Sequence, residues 1–131
     1  MARVRILVAD DHALIRRSLR ELLEGEGFEV CGEASTGIEA VERAERLHPN
    51  FIVMDLVMPQ KNGLEATREI LRQHPEIRVL ILTLKDFPQL EREAKNAGAS
   101  GFVLKGSPAG TLLDAIREIS NSQHAKTLVT R

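Results

Sequence analysis

The chain has 131 residues, a formal net charge of −1 and one cysteine, and 43% of its residues are hydrophobic while 28% are charged. This length and composition predict one compact domain, and the balanced charge excludes the strongly basic footprint of a nucleic-acid-binding domain. One cysteine cannot form an internal disulfide, and no apolar run is long enough for a secretion signal or a bilayer span. We therefore expect a soluble, cytoplasmic protein without a membrane partner.

The hydrophobic period alternates along the chain between strand-like and helical. Short apolar runs predict strands buried on both faces, at Val4–Ala9, Glu29–Ala34, Phe51–Met54, Arg78–Thr83 and Gly101–Leu104. Apolar residues at helical spacing follow each run and predict five helices, over residues 14–23, 37–47, 63–71, 87–97 and 108–120. This alternation predicts an α/β fold with a five-stranded parallel sheet, a flavodoxin-like (βα)5 three-layer sandwich with strand order 2-1-3-4-5.

The pattern stops after Asn121. We therefore expect one domain over residues 1–121. Residues 122–131 are expected to form a tail or the start of a linker to an effector domain that this chain does not include.

Four of the predicted strands end at polar side chains, namely Asp10 with Asp11, Asp55, Thr83 and Lys105. The carboxyl ends of parallel strands share one edge of a sheet, so we expect these groups to converge in one crevice. Clustered carboxylates favour a hard divalent cation, and oxygen ligands from few residues favour Mg²⁺. One Mg²⁺ together with Lys105 would balance three carboxylates and let a phosphoryl group approach Asp55 as nucleophile. Lys105 and Thr83 would stabilise the phosphoryl oxygens.

Each of these residues also has a structural interpretation when it is taken alone. Asp10 alone is also typical of a helix cap, and Thr83 alone is typical of an ordinary strand residue. Only their expected position at the same edge of the sheet favours a functional site. His12 fits a solvated helix start. Three arginines fit the solvated face of the first helix, namely Arg16, Arg17 and Arg20.

Together the motifs resemble the receiver domain of two-component response regulators, over about residues 3–121. The resemblance is carried by Asp10-Asp11, by Asp55 with the turn Met58-Pro59 and Asn62-Gly63, by Thr83 and by Lys105. The runs from Asp10 to Arg16 and from Gly98 to Lys105 further resemble the NarL/FixJ, or LuxR-type, subfamily.

The resemblance implies that Asp55 accepts a phosphoryl group from a sensor histidine kinase. It also implies that Mg²⁺ is bound by Asp11, Asp55 and the backbone carbonyl of Val57, while Asp10 acts through water. Such a protein catalyses only its own phosphorylation and dephosphorylation, and is otherwise not an enzyme. Many members of the subfamily regulate transcription through a C-terminal helix-turn-helix, so DNA binding would belong to a domain outside this chain.

The resemblance further implies a switch in which Thr83 moves toward the phosphoryl group and Phe102 turns inward. The surface of the fourth helix, fifth strand and fifth helix would then change, and phosphorylation could produce a homodimer. Family members often have a small residue after the threonine, whereas this chain has Leu84. We hypothesise that Leu84 shields the site and slows loss of the phosphoryl group.

Three alternative functions remain open at this point. The first is a stand-alone receiver that acts by protein–protein interaction. The second is a Mg²⁺-dependent aspartyl phosphohydrolase, although Leu56-Val57 follows Asp55 where such enzymes place a second acid two residues on. The third is a flavodoxin-type FMN carrier, although the acids at Asp10-Asp11 would repel a phosphate in the absence of metal.

Overall fold

The structure, a computed structural model, describes residues 3–84 and 87–121 together with the backbone of residues 128–130. Its strands are β1 Arg5–Ala9, β2 Glu29–Ala34, β3 Phe51–Met54, β4 Arg78–Thr83, β5 Gly101–Leu104 and β6 Leu128–Thr130. Its helices are α1 Ala13–Gly25, α2 Gly37–Leu47, α3 Gly63–Gln73, α4 Pro88–Asn96 and α5 Ala109–Asn121. Over the described ranges, no helix combines the length and the apolar character needed to cross a bilayer.

All six strands lie parallel in one sheet with the order β2-β1-β3-β4-β5-β6. The predicted α/β class and the order 2-1-3-4-5 are confirmed. β6 is an addition to the prediction, and it pairs with the outer edge of β5, where Phe102 is opposite Val129. A strand of three residues is too short to produce a readable period in the sequence. The rest of the predicted tail, residues 122–127 and 131, lies outside the described part of the chain.

The sheet separates two apolar layers, because successive side chains of a strand point to opposite faces. Ile6 and Val8 of β1 pack on the face covered by α1 and α5, with side chains that include Leu23 and Ile116. Leu7 and Ala9 pack on the face covered by α2, α3 and α4, with side chains that include Ala44, Ile70 and Ala94. The predicted three-layer sandwich is therefore confirmed.

The strand register brings the carboxyl ends of the central strands to one edge. Ala9 of β1 is opposite Met54 of β3, and Thr83 of β4 is opposite Leu104 of β5. The ladder continues past β3, since the N–H of Asp55 donates to the carbonyl oxygen of Ala9 at 2.9 Å. The sheet therefore fixes the backbone of the first polar residue beyond β3.

The start of α3 packs directly against the backbone at the end of β3. The N–H of Gly63 donates to the carbonyl oxygen of Leu56 at 2.9 Å. Asn62 caps the helix, since its side chain accepts from the N–H of Glu65 at 2.9 Å while the Glu65 carboxylate accepts from the Asn62 N–H. A Cβ atom at position 63 would overlap the carbonyl oxygen of Asp55. Glycine is therefore required here by close approach of two backbone segments.

We predict that Gly63→Ala lowers the free energy of unfolding by about 1–3 kcal/mol, because the overlap is with backbone that cannot rotate away. Gly110→Ala is the matched control, since a Cβ there would meet nothing within 4 Å and an alanine should favour α5 by about 0.5–1 kcal/mol. The chain has no tryptophan or tyrosine, so urea unfolding should be followed by circular dichroism. Wild-type stability in Gly63→Ala would contradict the close approach.

Candidate functional site

The partly buried ammonium of Lys105 lies between two buried carboxylates at the end of the sheet. Lys105 Nζ is 2.7 Å from Asp10 Oδ2 and 3.3 Å from Asp55 Oδ2. The three residues follow β5, β1 and β3, so the strand order alone brings them to one crevice. The backbone of Lys105 is also anchored, because its N–H donates to the Thr83 carbonyl oxygen at 2.8 Å. The structure thus brings together three of the residues that the sequence assigned to a site.

The electrostatics of this group raise two pKa values, which disfavours the charged form of Asp55 and favours the charged form of Lys105. Burial raises the pKa of the Asp55 carboxyl above its ordinary value, the Asp10 carboxylate raises it further, and Lys105 opposes both effects. Burial alone would lower the pKa of the Lys105 ammonium. The hydrogen bond to Asp10 and the charge of Asp55 outweigh burial, so the pKa of Lys105 is raised overall. Lys105 therefore stays charged at neutral pH.

Asp11 and His12 lie on the open side of this buried group. His12 Nδ1 is 3.0 Å from Asp11 Oδ1 and 3.2 Å from Asp10 Oδ1. The backbone N–H of His12 also donates to Asp10 Oδ1, at 2.9 Å. His12 is an exposed residue at the N-cap of α1, as predicted, but its ring bridges the two acids rather than facing solvent alone.

The donor groups at the crevice fit a hard divalent cation. One ligand atom from each of four residues lies within 4.8 Å of the others, and these residues are Asp10, Asp11, His12 and Asp55. Three of the four donors are carboxylate oxygens, which Mg²⁺ prefers. Three carboxylates and the Lys105 ammonium sum to a charge of −2, which one divalent cation would neutralise.

The remaining predicted site residues lie around the crevice at different depths. Thr83 is buried at the end of β4, and Phe102 is buried in β5 among the side chains of the α2, α3 and α4 layer. The backbone of Val57, an exposed residue of the turn after β3, slightly opposes the raised pKa of the Asp55 carboxyl. Leu84 directly follows Thr83 and is 74% exposed.

The sequence predicts that Arg16 is a solvated residue of the first helix, and the structure corrects this prediction. Its side chain is only 18% exposed. Its Nη1 donates to the backbone carbonyl oxygen of Asp10 at 2.7 Å, and its Nε donates to Glu33 Oε1 at 3.0 Å. Arg20 Nη1 donates to the other oxygen of Glu33 at 2.6 Å. The available signal was its position next to Ile15 and three residues before Leu19, on the flank of the apolar stripe.

Comparison with known proteins gives a consistent assignment along most of the chain. The family model described as the response regulator receiver domain matches residues 6–117. The transcriptional regulatory protein LiaR of Bacillus subtilis is 40% identical over 126 residues, covering 92% of this chain and 57% of LiaR. The chemotaxis protein CheY of Thermotoga maritima is 34% identical over 116 residues, covering 88% of this chain and 97% of CheY.

A solved structure shares both the fold and the subfamily resemblance. The two-component response regulator of the LuxR family from Aurantimonas sp. SI85-9A1 superposes with a TM-score of 0.86 and 37% identity. The match covers 90% of this chain and 85% of that one. This chain spans about half the length of the regulators among its curated relatives, as with LiaR.

We predict that Lys105→Met raises the pKa of Asp55 further, because the substitution keeps most of the side-chain volume and removes the charge that opposes burial. An NMR titration of the Asp55 carboxyl carbon measures the shift. Lys95→Met, on the exposed side of α4, removes the same charge elsewhere and should leave the Asp55 titration unchanged. An Asp55 pKa that is equal in Lys105→Met and wild type would contradict the ion pair.

Proposed function

Because the chain belongs to the response regulator receiver family and to its NarL/FixJ type, we propose that Asp55 accepts a phosphoryl group from a sensor histidine kinase. The observation that carries this proposal is the contact of the buried Asp55 carboxylate with Lys105 at the carboxyl edge of the sheet. A carboxylate at this place is both fixed by its neighbours and close to Asp11 on the open side of the crevice. The protein would act as a switch in two-component signal transduction and would catalyse no reaction beyond its own phosphorylation and dephosphorylation.

The residues of the crevice suit an in-line phosphoryl transfer. A carboxylate oxygen of Asp55 would attack phosphorus while the bond from phosphorus to the donor nitrogen breaks, and the bonding electrons would leave with the imidazole. Lys105 would exchange part of its contact with Asp55 for the transferred oxygens, which carry the developing charge. The hydroxyl of Thr83, at the end of the intervening strand, would donate to one of these oxygens.

We assign the metal of this site as Mg²⁺, held by Asp11, Asp55 and the backbone carbonyl of Val57, with Asp10 acting through water. The donor set described above supports this assignment, since it is rich in oxygen and carries an excess of negative charge. When bound, Mg²⁺ supplies positive charge next to the transferring oxygens. The protein's own part is to hold three carboxylates close together despite their repulsion.

The signal would leave the site through β4 and β5. Thr83 ends β4 and Phe102 lies in β5 opposite Ile81, so both belong to strands that meet the crevice. We propose that Thr83 moves toward the phosphoryl group, that Phe102 follows inward, and that the surface of α4, β5 and α5 changes as a two-state element. Phe102 is already completely buried in this structure, so the fold accommodates the inward position that the proposed switch requires of its ring.

The partner surface for the kinase is proposed to lie beside Lys105. A groove of about 430 Å³ runs between α1 and α5 next to this residue. It is lined mainly by apolar side chains, which include Leu14, Ile15, Leu22, Leu104, Pro108 and Leu112. The exposed Leu14 follows the acids by three residues, so a partner seated here would reach the crevice.

The output is proposed to be control of transcription in the cytoplasm, through a C-terminal helix-turn-helix outside this chain. The regulator LiaR supports this proposal, because the chain covers only 57% of it. CheY of Thermotoga maritima favours a second candidate, a receiver that acts alone by binding other proteins, since the chain covers 97% of CheY. Both outputs require the same phosphoacceptor site.

We predict that acetyl phosphate with Mg²⁺ adds one phosphoryl group to the wild-type protein and none to Asp55→Asn, because an amide is no nucleophile for this transfer. Intact mass spectrometry measures the product. Asp114→Asn, on the exposed side of α5, is the matched control and should be phosphorylated like the wild type. A phosphorylated Asp55→Asn protein would rule out the proposed acceptor.

We predict that Leu84→Ala shortens the lifetime of the phosphoryl group, because the exposed leucine beside Thr83 would no longer exclude water from the acyl phosphate. The half-life of the phosphorylated protein after removal of the donor measures this effect. Ile38→Ala removes another exposed apolar side chain, on α2, and should leave the half-life unchanged. An unchanged half-life in Leu84→Ala would end the shielding hypothesis.

A further inference from the structure

The geometry points to Arg16 as a positioning residue that holds the acidic pair in the arrangement needed to bind Mg²⁺. This inference rests on the proposed function and extends it to a residue outside the crevice. Arg16 is largely shielded from solvent and acts through the backbone of Asp10, whose carbonyl oxygen accepts its hydrogen bond.

Arg16 connects three elements through two charge-assisted hydrogen bonds. From α1, its guanidinium reaches the carbonyl oxygen of Asp10 after β1 and the carboxylate of Glu33 in β2. Glu33 is itself held by Arg20 at 2.6 Å, and Arg20 also donates to the carbonyl oxygen of Val30 at 3.2 Å. The side chains of Arg16, Glu33 and Arg20 therefore each have a second contact that sets their orientation, which is the arrangement that preorganises a site.

The Asp10 carbonyl matters because it belongs to the peptide plane that joins Asp10 to Asp11. The N–H of Asp10 donates to the carbonyl oxygen of Ala34 at 3.0 Å, so Arg16 completes the fixation of this backbone on its other side. With the plane held, the Asp10 carboxylate faces inward to Lys105 and the Asp11 carboxylate lies on the open side. The ψ angle of Asp10 and the φ angle of Asp11 adjoin this plane, so a change in either angle alone would alter the direction of one acid relative to the other.

Removal of the Arg16 guanidinium has two effects on Mg²⁺ affinity, and they act in opposite directions. Loss of a nearby positive charge alone would strengthen the binding of a divalent cation. Loss of the fixed position of the Asp10–Asp11 peptide plane would weaken that binding. The Glu33 carboxylate lies 3.0 Å from Arg16 Nε and neutralises its charge locally, so the positional effect should be the larger one.

Arg17 provides a matched control in the same helix. Its side chain is 77% exposed and pairs with Glu21 at 3.5 Å. Arg17→Ala therefore removes the same charge from α1 at the neighbouring position, where the partner is an exposed side chain rather than the backbone of the acidic pair.

The test is calorimetric titration of the unphosphorylated protein with MgCl₂, accompanied by thermal unfolding to establish that each variant is folded. Arg16→Ala is expected to weaken Mg²⁺ binding about tenfold, the usual effect of losing a residue that orients a metal ligand. Arg16→Lys should lie between Arg16→Ala and the wild type, since an ammonium keeps the charge but loses the fork that serves two acceptors. Arg17→Ala should bind like the wild type.

Unchanged or tighter Mg²⁺ binding by folded Arg16→Ala overturns this inference alone, provided that the wild type binds Mg²⁺. If Arg16→Ala does not fold, Arg16→Lys decides the matter, and wild-type affinity in that variant overturns the inference. A wild-type protein that does not bind Mg²⁺ overturns both this inference and the metal site of the proposed function. Phosphorylation of Asp55→Asn, in contrast, would overturn the proposed acceptor and leave the Mg²⁺ comparison standing.

Discussion

The ammonium of Lys105 between the carboxylates of Asp10 and Asp55 is the interaction on which the site depends. Two buried acids this close would repel each other, and removing one partner from such a buried group typically costs about 3–5 kcal/mol. The strand order explains why a lysine fills this role. β4 lies between β3 and β5, so the cation has to cross the end of one strand to reach Asp55 and the ends of two to reach Asp10. The long, flexible side chain of Lys105 can span that distance, and it passes the end of β4, where Thr83 lies.

Much of this arrangement could be predicted because it depends on strand ends. Five apolar runs gave the strands, and the rule that parallel strands share a carboxyl edge placed Asp10, Asp55 and Lys105 in one crevice. Arg16 escaped prediction because helical periodicity reports the direction of a Cβ atom, whereas a long side chain can carry its charged end back over the protein surface. β6 escaped prediction because three residues are too few to show a period. The roles assigned to Thr83, Phe102 and Leu84 remain predictions.

The acids of the site are supported from outside the crevice as well as within it. Lys105 contacts the Asp10 carboxylate, while Arg16 contacts the carbonyl oxygen of the same residue. Lys105, just after β5, thus holds the side chain of Asp10, while Arg16, in α1, holds its backbone. A site built to accept a divalent cation carries excess negative charge, and these contacts let the fold keep that excess in place.

The contact between Gly63 and the backbone of Asp55 has a consequence for movement. The segment after β3 packs tightly against the start of α3, and the Asn62 cap fixes this end of the helix. The end of β1 is held by β2 and by Arg16. Backbone contacts therefore hold both acidic walls of the crevice. If Asp55 accepts a group as proposed, we expect the resulting displacement on the remaining wall, where Thr83 and Leu84 follow β4, because the described part of that wall lacks the close backbone contact at Gly63.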